Sequence, residues 1–251
     1  MELFARDRQG NHIALCGKIG GTKEQPLQVD GLRNGFMVQE DNVAFEFNIP
    51  PCNTERAFID AIKTMRLHAE NVLKDMDLFV SDKASIHFDV TQLTHPKALI
   101  FGCEADYNAY TREENPKPTP EDSPTLRTCG GHVHVGTDVD AALCIQNMDL
   151  VLGVPSVILD GGKEAMERRQ RYGKAGALRP KGYGVEYRTL SNFWMFTDEL
   201  VSWVYKQTER ACQPKQMVKN ADVNDVQTCI NTGDKTLATR LIEQYSIAMP
   251  A

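Results

Sequence analysis

The sequence predicts an α+β fold built on a largely antiparallel sheet. Two observations carry this. With 251 residues, 41% of them hydrophobic and 25% charged, the chain has the make-up of a globular protein with a sizeable core. Its strand-like and helix-like segments come in mixed order, without the regular alternation that builds a parallel sheet.

The elements follow in order. The first fifty residues read as short strands and turns, punctuated by Gly17, Gly20, Gly21, Gly31 and Gly35. Residues 54 to 76 predict a helix capped by Thr54, with Phe58, Ile62, Met65, Leu73 and Met76 at helical spacing. Residues 84 to 90 read as a strand with Ile86, Phe88 and Val90 on one face, and a second strand ends near Phe101. Four prolines in the nine residues 116–124 make the stretch 113–124 a surface loop. Helices are expected over 138–151 and 197–211, the latter with Leu200, Trp203 and Val204 as its stripe. The tail from 222 to 246 suggests two short helices. No linker divides the chain, so residues 1–251 are expected to form one catalytic domain with a helical tail from about 197.

Charge and targeting exclude several classes. The formal charge of −6 and pI of about 5.6 imply no basic surface suited to nucleic acid. No run of about 18 apolar residues appears, so no membrane span is expected. Residues 1–7 hold no apolar stretch of the kind a signal peptide needs. The seven cysteines include no C-x-x-C pair and read as reduced, mostly buried thiols of a cytoplasmic protein.

Three segments carry chemistry. In Val43-Ala44-Phe45-Glu46-Phe47-Asn48-Ile49, alternation sets the four large apolar residues on one face and Glu46 with Asn48 on the other. In Gly130-Gly131-His132-Val133-His134-Val135-Gly136, His132 and His134 share a face and can reach one ligand region. In Val185-Glu186-Tyr187-Arg188-Thr189-Leu190, Glu186 and Arg188 oppose Val185, Tyr187 and Thr189. Each alone reads equally as a solvated sheet face, a structural histidine pair or a surface ion pair. Together they suggest a single sheet lined with carboxylates, imidazoles and an arginine. A basic loop is expected over 167–184, with four arginines, two lysines and four glycines. It is not a Walker A loop, because Gly173-Lys174 is followed by Ala175 and no glycine stands at 168.

These pieces resemble the phage-type carboxylate–amine ligases of the glutamine synthetase and glutamate–cysteine ligase superfamily. The matching stretches are Ile19-Gly20-Gly21-Thr22-Lys23, residues 41–51, residues 101–106, residues 127–136 and residues 172–194. The resemblance implies a curved, largely antiparallel sheet with helices on its convex face, and ATP with Mg²⁺ on the concave one. It implies a reaction in which ATP phosphorylates a small-molecule or peptide carboxylate and an amine attacks the acyl phosphate. By the same resemblance Glu46, His132 or His134, and Glu186 would hold metal. Arg188 and Arg179 would stabilise the transferring phosphoryl group. Arg168, Arg171, Lys174 and Asn48 would contact nucleotide or phosphate, and Asp41 with Asn42 would support the site. Relatives carry a G-x-D-P-E-type motif before their first metal-binding glutamate, whereas here Glu2 follows Met1 directly. Glu2 would then supply that ligand from a terminal strand, which is held weakly unless it pairs within the sheet. A phage-encoded member would act in the host cytoplasm. Two alternatives stand beside the ligase: a zinc hydrolase using His132 and His134, and a non-catalytic nucleotide-binding module.

Overall fold

The computed structural model describes residues 1–99, 106–116 and 123–250. The fold is mixed α+β, and each of its strand pairings is antiparallel. The chain forms two compact units that interleave along the sequence. Among the described residues the first takes in 1–99, 123–129 and 192–202, and the second 106–116, 130–191 and 203–250.

The first unit is built on a six-stranded sheet. Its strands are β1 (Glu2–Arg6), β2 (His12–Ile13), β3 (Leu27–Gln28), β4 (Met37–Asp41), β5 (Ala44–Asn48) and β6 (Phe79–Ser81), in the order β2-β1-β5-β4-β3 with β6 also paired to β1. The terminal strand is therefore not loosely held: β1 pairs with β2, β5 and β6, and Leu3, Phe4 and Ala5 are buried. Phe45 and Phe47 are fully buried, as the alternation of β5 predicts, and Glu46 is only partly so. Helix α1 (Glu55–Lys74) begins where predicted, with Thr54 Oγ1 accepting from Ala57 N at 3.2 Å. Such a cap stabilises by about 1 kcal/mol. Its buried side is Ala61, Ile62, Met65, Ala69 and Leu73.

Two expectations for this unit change. The strand expected over 84–90 is only β7 (Ser85–His87), which pairs with a later strand at Leu126–Thr128 (β9 in chain order). Asp89 ends it by capping a 3₁₀ turn, its Oδ1 accepting from Thr91 N at 2.8 Å. Asn42 belongs to the β4–β5 hairpin, where it adopts φ 53. Its Oδ1 accepts from Arg127 Nε at 3.0 Å and its Nδ2 donates to Lys97 O and Ala98 O. It is a turn residue that anchors Arg127. The strand end expected near Phe101 falls outside the described residues, as do residues 117–122 of the proline-rich stretch.

The second unit carries a four-stranded sheet of β8 (Tyr107–Asn108), β10 (Val133–Gly136), β11 (Ala177–Lys181) and β12 (Gly184–Tyr187), in the order β10-β12-β11-β8. The segment expected to be a helix over 138–151 runs further. Helix α2 (Ala141–Met148) continues through a wide π turn (Asp149–Gly153) into α3 (Val154–Leu159). The 19 residues Ala141–Leu159 are by length and composition apolar enough to cross a membrane, but 72% of their most apolar window is buried inside the protein, as in a core helix. The region 167–184 is not one loop: its start lies in α4 (Lys163–Arg171) and its middle is β11. The remaining helices are α5 (Asp198–Ala211), with Trp203 and Val204 buried, and the predicted tail pair α6 (Val223–Thr232) and α7 (Lys235–Gln244). The single lined sheet also gives way. Glu46 belongs to the six-stranded sheet, and His134 and Glu186 belong to the four-stranded one.

Candidate functional site

In the second unit, strand pairing brings the predicted residues into one row. His134 on β10, Glu186 on β12 and Arg179 on β11 are direct cross-strand partners, so their side chains share a face. Lys181 follows Arg179 by two positions and Arg188 follows Glu186 by two, so alternation keeps both on that face.

Glu186 is the hub. Its carboxylate meets Arg188 Nη1, Arg179 Nη1 at 3.3 and 3.4 Å, and Lys181 Nζ at 3.1 Å. His132 Nδ1 lies 3.3 Å from Oε1. Arg188 Nε also faces Asp106 Oδ2 at 3.4 Å. Burial alone would raise the Glu186 carboxyl, but the His132 contact and the Arg188 and Arg179 guanidiniums outweigh it and hold the group well below the usual range. Burial, reinforced by the adjacent Arg188, keeps His132 neutral. A neutral ring with its proton on Nδ1 donates to Glu186, which makes the 3.4 Å approach of Arg188 Nη1 to the same nitrogen a close contact only.

Among the described residues three cations, Arg179, Lys181 and Arg188, gather with the carboxylates Glu186 and Asp106 around a neutral imidazole. Guanidiniums so grouped suit phosphoryl or carboxylate oxygens. Glu186 itself is poorly placed to ligate a cation, because both its oxygens already face cationic partners.

The other predicted residues are placed as follows. Arg168 is 2% exposed and spends its guanidinium on Thr189 O (2.7 Å) and Arg188 O (3.1 Å). It splints the end of the Glu186 strand. Arg171 ends α4, half-buried, and Lys174 is half-buried with its carbonyl accepting from Thr189 Oγ1 at 3.0 Å. His134 is exposed, its Nδ1 2.6 Å from the Tyr183 hydroxyl.

In the first unit, Glu2 and Glu46 are direct partners across β1 and β5. Like charges so placed repel, and a bound cation would offset that cost. Gln39 Nε2 donates to Glu46 Oε2 at 2.5 Å, and Met1 N lies 4.0 Å from Oε1. Asn48 ends β5, half-buried, and Asp41 ends β4, exposed. Among the described residues no group of three or more His, Cys, Asp or Glu is arranged to hold a metal.

Sequence reasoning missed Lys181 and Asp106 as members of the cluster. Reading 167–184 as a loop hid the Arg179–Lys181 alternation that would have found the first. No curated protein and no solved structure gives a significant match to the chain. Residues 125–247, which include Glu186, both histidines and all three cations of the cluster, match the family described as phage phiEco32-like COOH.NH2 ligase-type 2, which supports a carboxylate–amine ligase family for this segment.

Proposed function

We propose that this protein is an ATP-dependent carboxylate–amine ligase that works through an acyl phosphate. The carrying observation is the grouping of Arg179, Lys181 and Arg188 on one strand face around Glu186, within the family-matching segment. A substrate carboxylate oxygen attacks the γ-phosphorus and ADP leaves. The amine nitrogen then attacks the acyl carbon, the carbon–oxygen bond to phosphate breaks, and the nitrogen loses a proton. Both steps shift negative charge onto phosphoryl oxygens. Arg188 and Arg179 face those oxygens, and Lys181 adds charge. Glu186 holds the three cations at fixed spacing, and neutral His132 orients it.

Magnesium binds through one or two carboxylates together with substrate phosphates, rather than in an all-protein cage. The opposed pair Glu2 and Glu46 fits that requirement, and Glu186, ringed by cations, does not. Bound Mg²⁺ would supply charge neutralisation for nucleotide phosphates. The antiparallel α+β build supports a fold of glutamine synthetase type, and we place the enzyme in the cytoplasm of a phage-infected host.

The test is ADP and phosphate release from MgATP against pools of amino acids, peptides and amines, with Arg188→Ala as control. Amine-stimulated release that falls roughly a hundredfold in the variant is expected. Equal rates in the two proteins would sink the reading.

A further inference from the structure

Behind the cluster, on the opposite side of β12, lies a second buried carboxylate. Asp149 has no exposed surface and opens the π turn between α2 and α3. Its Oδ1 accepts from Tyr187 Oη at 2.9 Å and its Oδ2 from Tyr110 Oη at 3.0 Å and Gly176 N at 2.6 Å. Thr189 Oγ1 lies 3.3 Å from Oδ1 and shares its one proton with Lys174 O. The close approach needs Gly153, because a Cβ there would come within 2.9 Å of the Tyr187 hydroxyl and 2.7 Å of Ile230 Cδ1.

The partners of this one carboxylate are not scattered. Tyr187 stands between Glu186 and Arg188 in the chain, and Thr189 follows Arg188. Gly176 immediately precedes β11, which carries Arg179 and Lys181. Tyr110 lies two residues beyond β8, whose first residue follows Asp106. Strands that present the cluster on one face are thus gripped at their other face, or at their ends, by a single group. A π turn widens the helix by one residue per turn, and here it aims that group at the sheet.

We propose that Asp149 is the positioning residue of the anion cluster, setting through Tyr187, Thr189 and Gly176 the spacing at which Glu186, Arg188 and Arg179 meet an anionic ligand. The proposal rests on the phosphate-site reading for its ligand, but its geometry can be measured without one. Buried networks of this sort rigidify what they join, and sub-ångström placement decides how well guanidiniums match phosphoryl oxygens.

The experiment uses the full chain with ¹⁵N-labelled histidine, in Tyr187→Phe and Asp149→Asn forms. The first variant keeps the ring and loses only the hydroxyl, so it decides the matter if Asp149→Asn does not fold. The readouts are the ring-nitrogen shifts of His132, which report its contact with Glu186, and the affinity for inorganic tripolyphosphate. We expect folded Tyr187→Phe protein with displaced His132 shifts and about tenfold weaker tripolyphosphate binding. A lowered Tm with wild-type His132 shifts and wild-type affinity would reduce Asp149 to core packing and overturn the proposal. If the wild-type protein does not bind tripolyphosphate, the phosphate-site reading fails. The His132 shifts then decide alone whether Asp149 positions the cluster.

Discussion

Two regions of this molecule gather donors around a buried carboxylate, and they differ in what those donors are. In the first unit, Gly20 at φ +81 belongs to a glycine-rich turn whose backbone amides converge on one point. That point is filled by the chain's own Glu40, whose Oε1 accepts from Ile19 N and Gly20 N at 2.9 Å each while Oε2 meets Lys97 Nζ at 2.6 Å. Burial raises the Glu40 carboxyl, but these amides and the lysine bring it down to about 2. In the second unit Glu186 also sits among donors, but they are three full cations on one strand face. Amides that converge on a carboxylate of the chain itself form a structural turn, whereas grouped side-chain cations also suit the oxygens of a phosphoryl or carboxylate ligand.

Asp149 extends the comparison to a third buried carboxylate, served by neutral donors alone, and gives the largest expected effect. Burial pushes it from 3.8 up to about 7 despite its hydroxyl and amide partners. The folded state then favours the protonated acid. Its contribution to stability is complete below pH 4, falls as pH rises to about 7, and is level beyond. The span is roughly 4 kcal/mol. Urea unfolding of Asp149→Asn between pH 4 and 8 should show this slope removed; the wild-type slope in the variant would refute the assignment. Next comes Glu186→Gln, which leaves three cations facing one another and should cost about 3 kcal/mol. Chemical denaturation checks it, and a variant as stable as wild type would mean that Glu186 does not hold the cations together. Glu40→Gln puts an amide N–H against donors that need an acceptor and should cost roughly 2 kcal/mol. Because the folded pKa of Glu40 is depressed, that difference should be present above pH 4.5 and fade as pH falls toward 2; a constant difference would count against it. The smallest effect is for Lys97→Ala, whose side chain is 45% exposed, at about 0.5 kcal/mol and reduced further by salt.

Much of the site was legible because strand alternation is a strict code. It placed Phe45 and Phe47 inside and Glu46 on the other face, and it joined Glu186 to Arg188. The helix at 55–74 and the tail pair were equally readable from apolar spacing and caps. What escaped depends on pairing. Nothing in residues 167–184 says that Ala177–Lys181 will find β12, so Arg179 and Lys181 looked like loop residues. The bonds of Arg168 to the backbone carbonyls of residues 188 and 189 escaped for the same reason. Asp149 had one signal, a lone acid inside an otherwise apolar helical run. A charge in such a place is buried at a cost and needs dedicated partners.

The interleaving of the two units governs the order in which the chain can finish folding. The first unit contains β1 but also residues 192–202. Asn192 Nδ2 donates to Glu2 O at 3.2 Å and to Lys83 O at 3.4 Å, and Trp194 stacks on Phe58 at 5.9 Å between ring centroids. These contacts span up to 190 residues, so closing them is slow compared with the local helices. During synthesis the sheet that forms first in the sequence must wait, incompletely covered, until residues 192–202 have been made, which is a window for chaperone capture or aggregation.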